Sequence, residues 1–122
     1  MSKQHAAGFI ALVDAAKKRV EEVSAQSLPA LLAADTNALL IDVREDNEFA
    51  QGHVRGARHI GKGVIERDIE AACPDKSQTL YLYCGGGYRS ALAADALRQM
   101  GYRKAVSVDG GWRQLKDIMP TG

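Results

Sequence analysis

A chain of 122 residues, 46% of them hydrophobic, has material for one compact domain with its own core and not for a second of similar size. Sixteen basic and 15 acidic residues are mixed along the chain and leave a formal net charge of +1, which excludes a polyelectrolyte surface and argues against a nucleic-acid partner. No run approaches the roughly 20 apolar residues that span a bilayer, so no membrane partner is expected either.

In chain order, Ala6 to Val13 is apolar, follows Lys3 and precedes the small residues Ala15 and Ala16, the outline of a cleaved targeting signal. The run is short and Asp14 interrupts it. Phe9, Ile10, Val13, Ala16 and Lys17 fall at helical spacings, so the segment reads as an amphipathic surface helix. Residues 1–19 are therefore expected to form an N-terminal helical extension ahead of a domain over 20–122, and that helix offers a surface for a partner or for a homodimer.

A short strand is expected over Val20 to Ser24, although these residues could instead prolong the first helix. A helix from Leu28 to Ala34 capped by Ser27 follows, then a strand from Ala38 to Val43, a short helix from Asp46 to Gln51, a short strand from Ala57 to Ile60 and a helix from Val64 to Ala72. Glu48 stands four residues after Arg44, a spacing that pairs the two if the stretch is helical. Cys73 opens the turn-like run Cys73-Pro74-Asp75-Lys76-Ser77 and reads as a bystander, with a resolving thiol as the alternative. Residues Thr79 to Tyr83 form the next strand, Ser90 to Met100 a helix ended by Gly101, Ala105 to Val108 a strand, and a final helix begins near Gly111 and contains Trp112.

Strands alternating with helices, and near-continuous apolar runs such as Leu39-Leu40-Ile41, predict an α/β fold whose mostly parallel sheet carries helices on both faces. In such sheets ligands gather at the carboxyl ends of the strands, where Cys84 and the segment Asp42 to Arg44 would both lie.

Cys84 begins the loop Cys84-Gly85-Gly86-Gly87-Tyr88-Arg89-Ser90 between a strand and a helix. Glycines allow positive φ and let backbone N–H groups converge, and Ser90 is a natural helix cap, so the loop predicts an anion cradle. Converging amides, a helix N-terminus and the Arg89 guanidinium all favour a thiolate, which makes Cys84 the candidate nucleophile. The competing reading is a cysteine that packs as a small hydrophobe, for which three glycines are a poor choice. Gly85, Gly86, Gly87, Tyr88, Arg89 and Ser90 are the candidate substrate-binding residues, with Asp42 and Arg44 either orienting the loop or forming an internal salt bridge. His53 and His59 lack ligand spacing and read as structural. Neither Cys73 nor Cys84 sits in a metal-ligand pattern, so no metal is expected, and two cysteines suit a reducing, cytoplasmic setting.

Three separated motifs resemble the rhodanese (sulfurtransferase) family in its single-domain form: Asp42-Val43-Arg44 with Glu48-Phe49, Gly52-His53-Val54 and Gly56-Ala57; the loop Tyr83 to Ser90 with Ala93-Ala94, Leu97 and Gly101-Tyr102; and Asp109-Gly110-Gly111-Trp112. The resemblance spans residues 20–117 in the family's order. It implies that Cys84 takes the outer sulfur of thiosulfate or a persulfide and passes it, as a Cys84 persulfide, to cyanide, a thiol or a protein, with no cofactor. The loop departs from efficient thiosulfate users in carrying Arg89 as its one cation, which sets persulfide or protein-borne donors on an equal footing. Gly61 also stands where the family commonly has proline. Two rival functions remain at this stage. A cysteine-dependent phosphatase or arsenate reductase would need a loop one residue longer between cysteine and arginine, and a noncatalytic binding module would have no need of the cysteine.

Overall fold

The computed structural model describes residues 5–122, so the first four residues of the expected N-terminal extension lie outside the described residues. Helix α1 (Ala7–Lys17) leads into strand β1 (Glu21–Ser24), a 3-10 turn (Ala25–Ser27), α2 (Leu28–Ala34), β2 (Leu39–Asp42), α3 (Asp46–Ala50) and β3 (Arg58–His59). Helix α4 (Ile65–Ala72), β4 (Leu80–Tyr83), α5 (Tyr88–Gln99), β5 (Ala105–Asp109) and α6 (Gly111–Leu115) complete the chain. The strands form one five-stranded sheet in the order β1-β5-β4-β2-β3, with every neighbouring pair parallel.

Each face of the sheet has its own core because strand residues alternate sides. Ile41, Leu80, Leu82 and Ala105 join Ile65, Ile69, Ala93, Ala94 and Leu97 on the face of α4 and α5. Leu40, Tyr81, Tyr83, Val106 and Val108 join Leu28 and Leu115 on the face of α2 and α6. Both layers of the expected architecture are therefore present. The pairing of Asp42 with Tyr83 and of Leu82 with Ser107 brings the carboxyl ends of β2, β4 and β5 level at one edge. Cys84 follows the middle one of these three strands.

Several expected boundaries shift for local reasons. The residues that could have prolonged the first helix instead pair with β5, since Glu21–Ser24 complete the sheet's edge. Ser27 makes no side-chain cap for α2: its hydroxyl donates to the Ser24 carbonyl, and Ser24 Oγ accepts from the Ser27 amide to close the 3-10 turn. Helix α5 starts two residues before Ser90, because Gly87 takes φ +117° and turns Tyr88 into the first helical position. Ser90 is then an inward-facing residue of the first turn and not a cap.

Helix α1 docks on α5 through Val13 and Ala16, both buried, and the Arg19 guanidinium grips the Asp95 carboxylate with two bonds of 2.9 and 2.7 Å. Those bonds hold the Asp95 carboxyl below the usual aspartate range. Ile10, placed by spacing on the apolar stripe, is instead exposed beside Leu12. Val13 and Ala16 of the expected stripe thus face the chain's own α5. Among the described residues no helix is long and apolar enough to cross a membrane.

Because Val13 is buried and its neighbour Leu12 is not, adjacent substitutions should part company. Val13→Asp places a charge under α1 and should speed tryptic cleavage at Lys17 to Arg19 about tenfold or more, whereas Leu12→Asp should leave the cleavage rate near wild type.

Candidate active site

The cysteine loop is shaped from outside. Three consecutive carbonyls are held by amides of the segment after β5: Trp112 N–H donates to the Cys84 carbonyl (2.7 Å), Arg113 N–H to that of Gly85 (3.0 Å) and Gly110 N–H to that of Gly86 (3.1 Å). With its carbonyls turned to that side, the loop is free to present amides to the sulfur. The Gly87 N–H donates to Cys84 Sγ at 3.1 Å. Only Gly87 of the three glycines adopts positive φ, so the curl foreseen for all three is made at one.

The approach of the two segments depends on Gly111. At φ +49°, a Cβ there would overlap the Cys84 carbonyl oxygen and stand 2.9 Å from the Gly85 carbonyl carbon. At Gly110 (φ +92°) the added carbon would meet the side chain of Gln114, which can move. Gly87 is also confined, with Asp109 Oδ1 at 3.2 Å from an added Cβ.

Cys84 is 1% exposed, yet it lines a cavity of about 730 Å³ together with His5, Phe9, Glu48, Tyr88, Arg89, Arg113, Gly85 and Gly86. Behind the sulfur the thiol meets Ser90 Oγ at 3.5 Å, and Ser90 Oγ shares a hydrogen bond of 2.8 Å with Ser107 Oγ, all three groups being buried. When Cys84 is a thiolate this pair can reverse direction, so that Ser107 supports Ser90 and Ser90 donates to sulfur. The 12-residue helix α5 begins at Tyr88, with its positive end beside the same atom.

Arg89 is not a free cation. Its two terminal nitrogens bind Glu48 Oε1 at 2.7 Å and Oε2 at 3.1 Å. Glu48 Oε1 also accepts from the Glu45 amide as half of a capping box that opens α3. The bond from Arg89 brings the Glu48 carboxyl down to about 2, while that bond, helped by the charge of a Cys84 thiolate, keeps Arg89 above its ordinary value. The expected pairing of Glu48 with Arg44 does not form, since α3 begins only at Asp46 and Asp42 takes the Arg44 side chain first.

Asp42 and Arg44 lie level with the loop as a buried ion pair, closed by bonds of 3.0 Å from Nε to Oδ1 and 2.7 Å from Nη2 to Oδ2. Burial opposes the Arg44 charge, and the bonds to Asp42 outweigh it. Arg44 also donates to the Gly52 carbonyl (2.7 Å) and lies 4.8 Å from the centre of the Trp112 ring. Trp112 is the residue whose amide holds the Cys84 carbonyl, so Arg44 packs against a residue that touches the loop. Tyr83, buried on β4, accepts from the Val54 amide, and burial pushes its hydroxyl upward. His53 and His59 stack on Phe49 and bind the carbonyls of Phe49 and Arg44, and neither lines the cavity. Among the described residues no cluster of His, Cys, Asp and Glu could hold a metal ion.

Cys73 caps α4 inside the core, where its thiol donates to Gln78 Oε1 at 3.1 Å and the Tyr102 hydroxyl donates to its carbonyl at 2.6 Å. Burial, with the nearby Asp75 carboxylate, pushes this thiol above its ordinary value. Both cysteines are free. Arg113, His5 and Phe9 were not among the expected site residues. They reach the cavity only through the packing of α6 and α1, and the one sequence signal was a basic residue two positions after the Gly110-Gly111 turn.

The sequence pattern of the rhodanese-like domain family matches residues 24–117. Thiosulfate sulfurtransferase PspE of Escherichia coli is 38% identical over 78 residues, covering 64% of this chain and 71% of PspE. Among the curated relatives, coverage of the relative's own length falls as low as 50%. A structure described as a rhodanese with anions from E. coli is similar with a TM-score of 0.61 and 40% identity, over 70% of this chain and 96% of that one. A Rhodopseudomonas palustris protein described as of unknown function and a possible tyrosine phosphatase gives a TM-score of 0.86 over 100% of this chain and 99% of its own, at 24% identity, which shows a shared fold alone.

Two outcomes follow from the geometry. Gly111→Ala should destabilise the protein by at least about 2 kcal/mol in urea unfolding and remove the reactivity of Cys84 toward alkylating agents, while Gly110→Ala should be milder on both counts. Glu48 has a depressed carboxyl, so its stabilising pair is complete above the ordinary value of 4.5 and is lost as pH falls toward about 2. The stability margin of wild type over Glu48→Gln should therefore be steady at neutral pH and close across that acid window.

Proposed function

The chain belongs to the rhodanese-like domain family, and from that premise we propose that it transfers sulfane sulfur from thiosulfate or a persulfide to a nucleophilic acceptor through a persulfide on Cys84. The observation that carries this reading is the Gly87 amide directed at Cys84 Sγ across 3.1 Å, in a residue that lines a cavity of about 730 Å³. A thiolate at that sulfur attacks the outer sulfur of the donor. The donor's sulfur–sulfur bond breaks, and its remainder leaves with the bonding pair, as sulfite from thiosulfate or as a thiol from a persulfide. The outer sulfur is then bonded to Sγ and carries the negative charge, with the loop amides and the α5 N-terminus beside it and the Ser90 hydroxyl remaining against Sγ.

In the second half-reaction cyanide, a thiol or a protein nucleophile attacks that outer sulfur from the cavity. Cys84 departs as a thiolate, and the groups that stabilised it at the start receive it again. Gly85, Gly86, Gly87, Tyr88, Arg89 and Ser90 form the binding surface in this scheme, Asp42 and Arg44 support it through Trp112, and the cycle runs in a reducing compartment such as the cytoplasm, where both thiols stay free.

The rival phosphatase reading finds little support in the site. Four residues separate Cys84 from Arg89, and Arg89, the arginine at the end of the loop, gives both terminal nitrogens to Glu48. A noncatalytic module would leave the amide-to-sulfur contact without a use.

Incubation with thiosulfate or a low-molecular-weight persulfide should add the mass of one sulfur atom to the intact protein. Cys84→Ser should abolish that gain with little change in stability, and Cys73→Ser should retain it. Equal loading of the two variants, or turnover of a phosphate ester at rates matching sulfur transfer, would overturn the assignment.

A further inference from the structure

The outer wall of the cavity comes from a part of the chain that lies outside the family match of residues 24–117. Helix α1 carries Phe9 and sets His5 over the first turn of α5, where the rings of His5, Phe9 and Tyr88 cluster. Their centroids are 5.3 Å apart for His5 and Phe9, 4.8 Å for His5 and Tyr88 and 6.2 Å for Phe9 and Tyr88. Lys17, also on α1, places its Nζ 5.2 Å from the centre of the Tyr88 ring and so helps hold that exposed side chain at the mouth. Docking of α1 by Val13, Ala16 and the Arg19–Asp95 pair makes this wall a fixed feature.

On the loop side the charges are unequal in availability. Arg89 is matched by Glu48, whereas Arg113 has no ion pair among the described residues and lies with its Nη2 3.9 Å from where a Cβ on Gly86 would stand. The cavity thus offers one uncompensated guanidinium, an aromatic wall and a volume of about 730 Å³, within the range of about 300–1,000 Å³ that holds an organic ligand. A compact inorganic dianion would meet a single free cation here and would leave the aromatic wall untouched.

We propose that helix α1 and Arg113 make this pocket selective for an organic persulfide that bears a carboxylate, with its hydrocarbon part against His5, Phe9 and Tyr88 and its carboxylate on Arg113. This rests on the sulfurtransferase reading and adds the substrate class and the residues that choose it. The Cys84 thiolate attacks the terminal sulfur of R–S–SH and the bond between the two donor sulfurs breaks. The inner sulfur takes the electron pair and the proton to leave as R–SH, and Cys84 becomes a persulfide anion. No oxidant or reductant enters. Arg113 and Phe9 act through binding, and neither touches the reacting sulfurs.

The test uses the full chain and three donors: thiosulfate, an alkyl persulfide carrying a carboxylate, and the methyl ester of the same persulfide, whose sulfur chemistry is matched. Wild type should load from the acid with a kcat/KM about tenfold above that for the ester. Arg113→Ala should erase that preference through KM, and Arg113→Lys should restore part of it. Phe9→Ala should lower kcat/KM for both persulfides several-fold relative to thiosulfate. Sulfur loading with no preference for acid over ester, or a preference unchanged by Arg113→Ala and Phe9→Ala, overturns this inference and leaves the sulfurtransferase reading standing. Failure of wild type to gain sulfur from any of the three donors overturns both.

Discussion

The turn at Gly110 and Gly111 lies so close to the cysteine loop that a side chain at position 111 would occupy the space of the Cys84 carbonyl. Everything at the site follows from that approach. Three amides from the turn hold the carbonyls of Cys84, Gly85 and Gly86, and a peptide unit with its carbonyl fixed on one side presents its N–H to the other. In the proposed scheme the loop needs no side chains to cradle a charged sulfur, because its backbone is already turned so that the Gly87 amide meets Sγ. The cost is conformational, concentrated in Gly87, Gly110 and Gly111, where positive φ is required.

The electrostatics show a second layer of the same organisation. Charges near the loop are paired: Asp42 with Arg44, buried in the core, and Glu48 with Arg89, half-buried at the cavity's edge. Each pair also binds backbone, Arg44 at Gly52 and Glu48 at Glu45, so each fixes a loop as well as a charge. The consequence for chemistry is that Arg89, the cation nearest in sequence to the thiol, serves mainly to fasten α5 to α3. The Gly87 amide and the N-terminus of α5 add positive potential at Cys84 that does not depend on a side-chain charge.

Much of this was legible in the sequence. Leu80-Tyr81-Leu82-Tyr83 reads as a strand of a sheet covered on both faces, and its two faces do enter separate cores. Cys84, between a strand and a helix and followed by glycines, stands out because that position in a parallel sheet is where ligands gather. What could not be read was whatever depends on a single dihedral or on distant contacts. Nothing in three consecutive glycines says that only the third turns left-handed, so Ser90 looked like a cap when it is a buried partner of Cys84 and Ser107. The four-residue spacing of Arg44 and Glu48 misled because helix α3 begins between them and a better-placed carboxylate, Asp42, was two residues away. Arg113, His5 and Phe9 enter the cavity through tertiary packing, about which local periodicity is silent.

The central claim is that the loop is already organised to shelter a second sulfur on Cys84. The most direct measurement is a crystal structure of the sulfur-loaded protein. The account predicts one extra sulfur bonded to Cys84 Sγ, surrounded by loop amides and facing the cavity, with the three carbonyl contacts to Gly110, Trp112 and Arg113 intact. An added sulfur on Cys73, or a loop that had to open and break those contacts to accept it, would contradict the account.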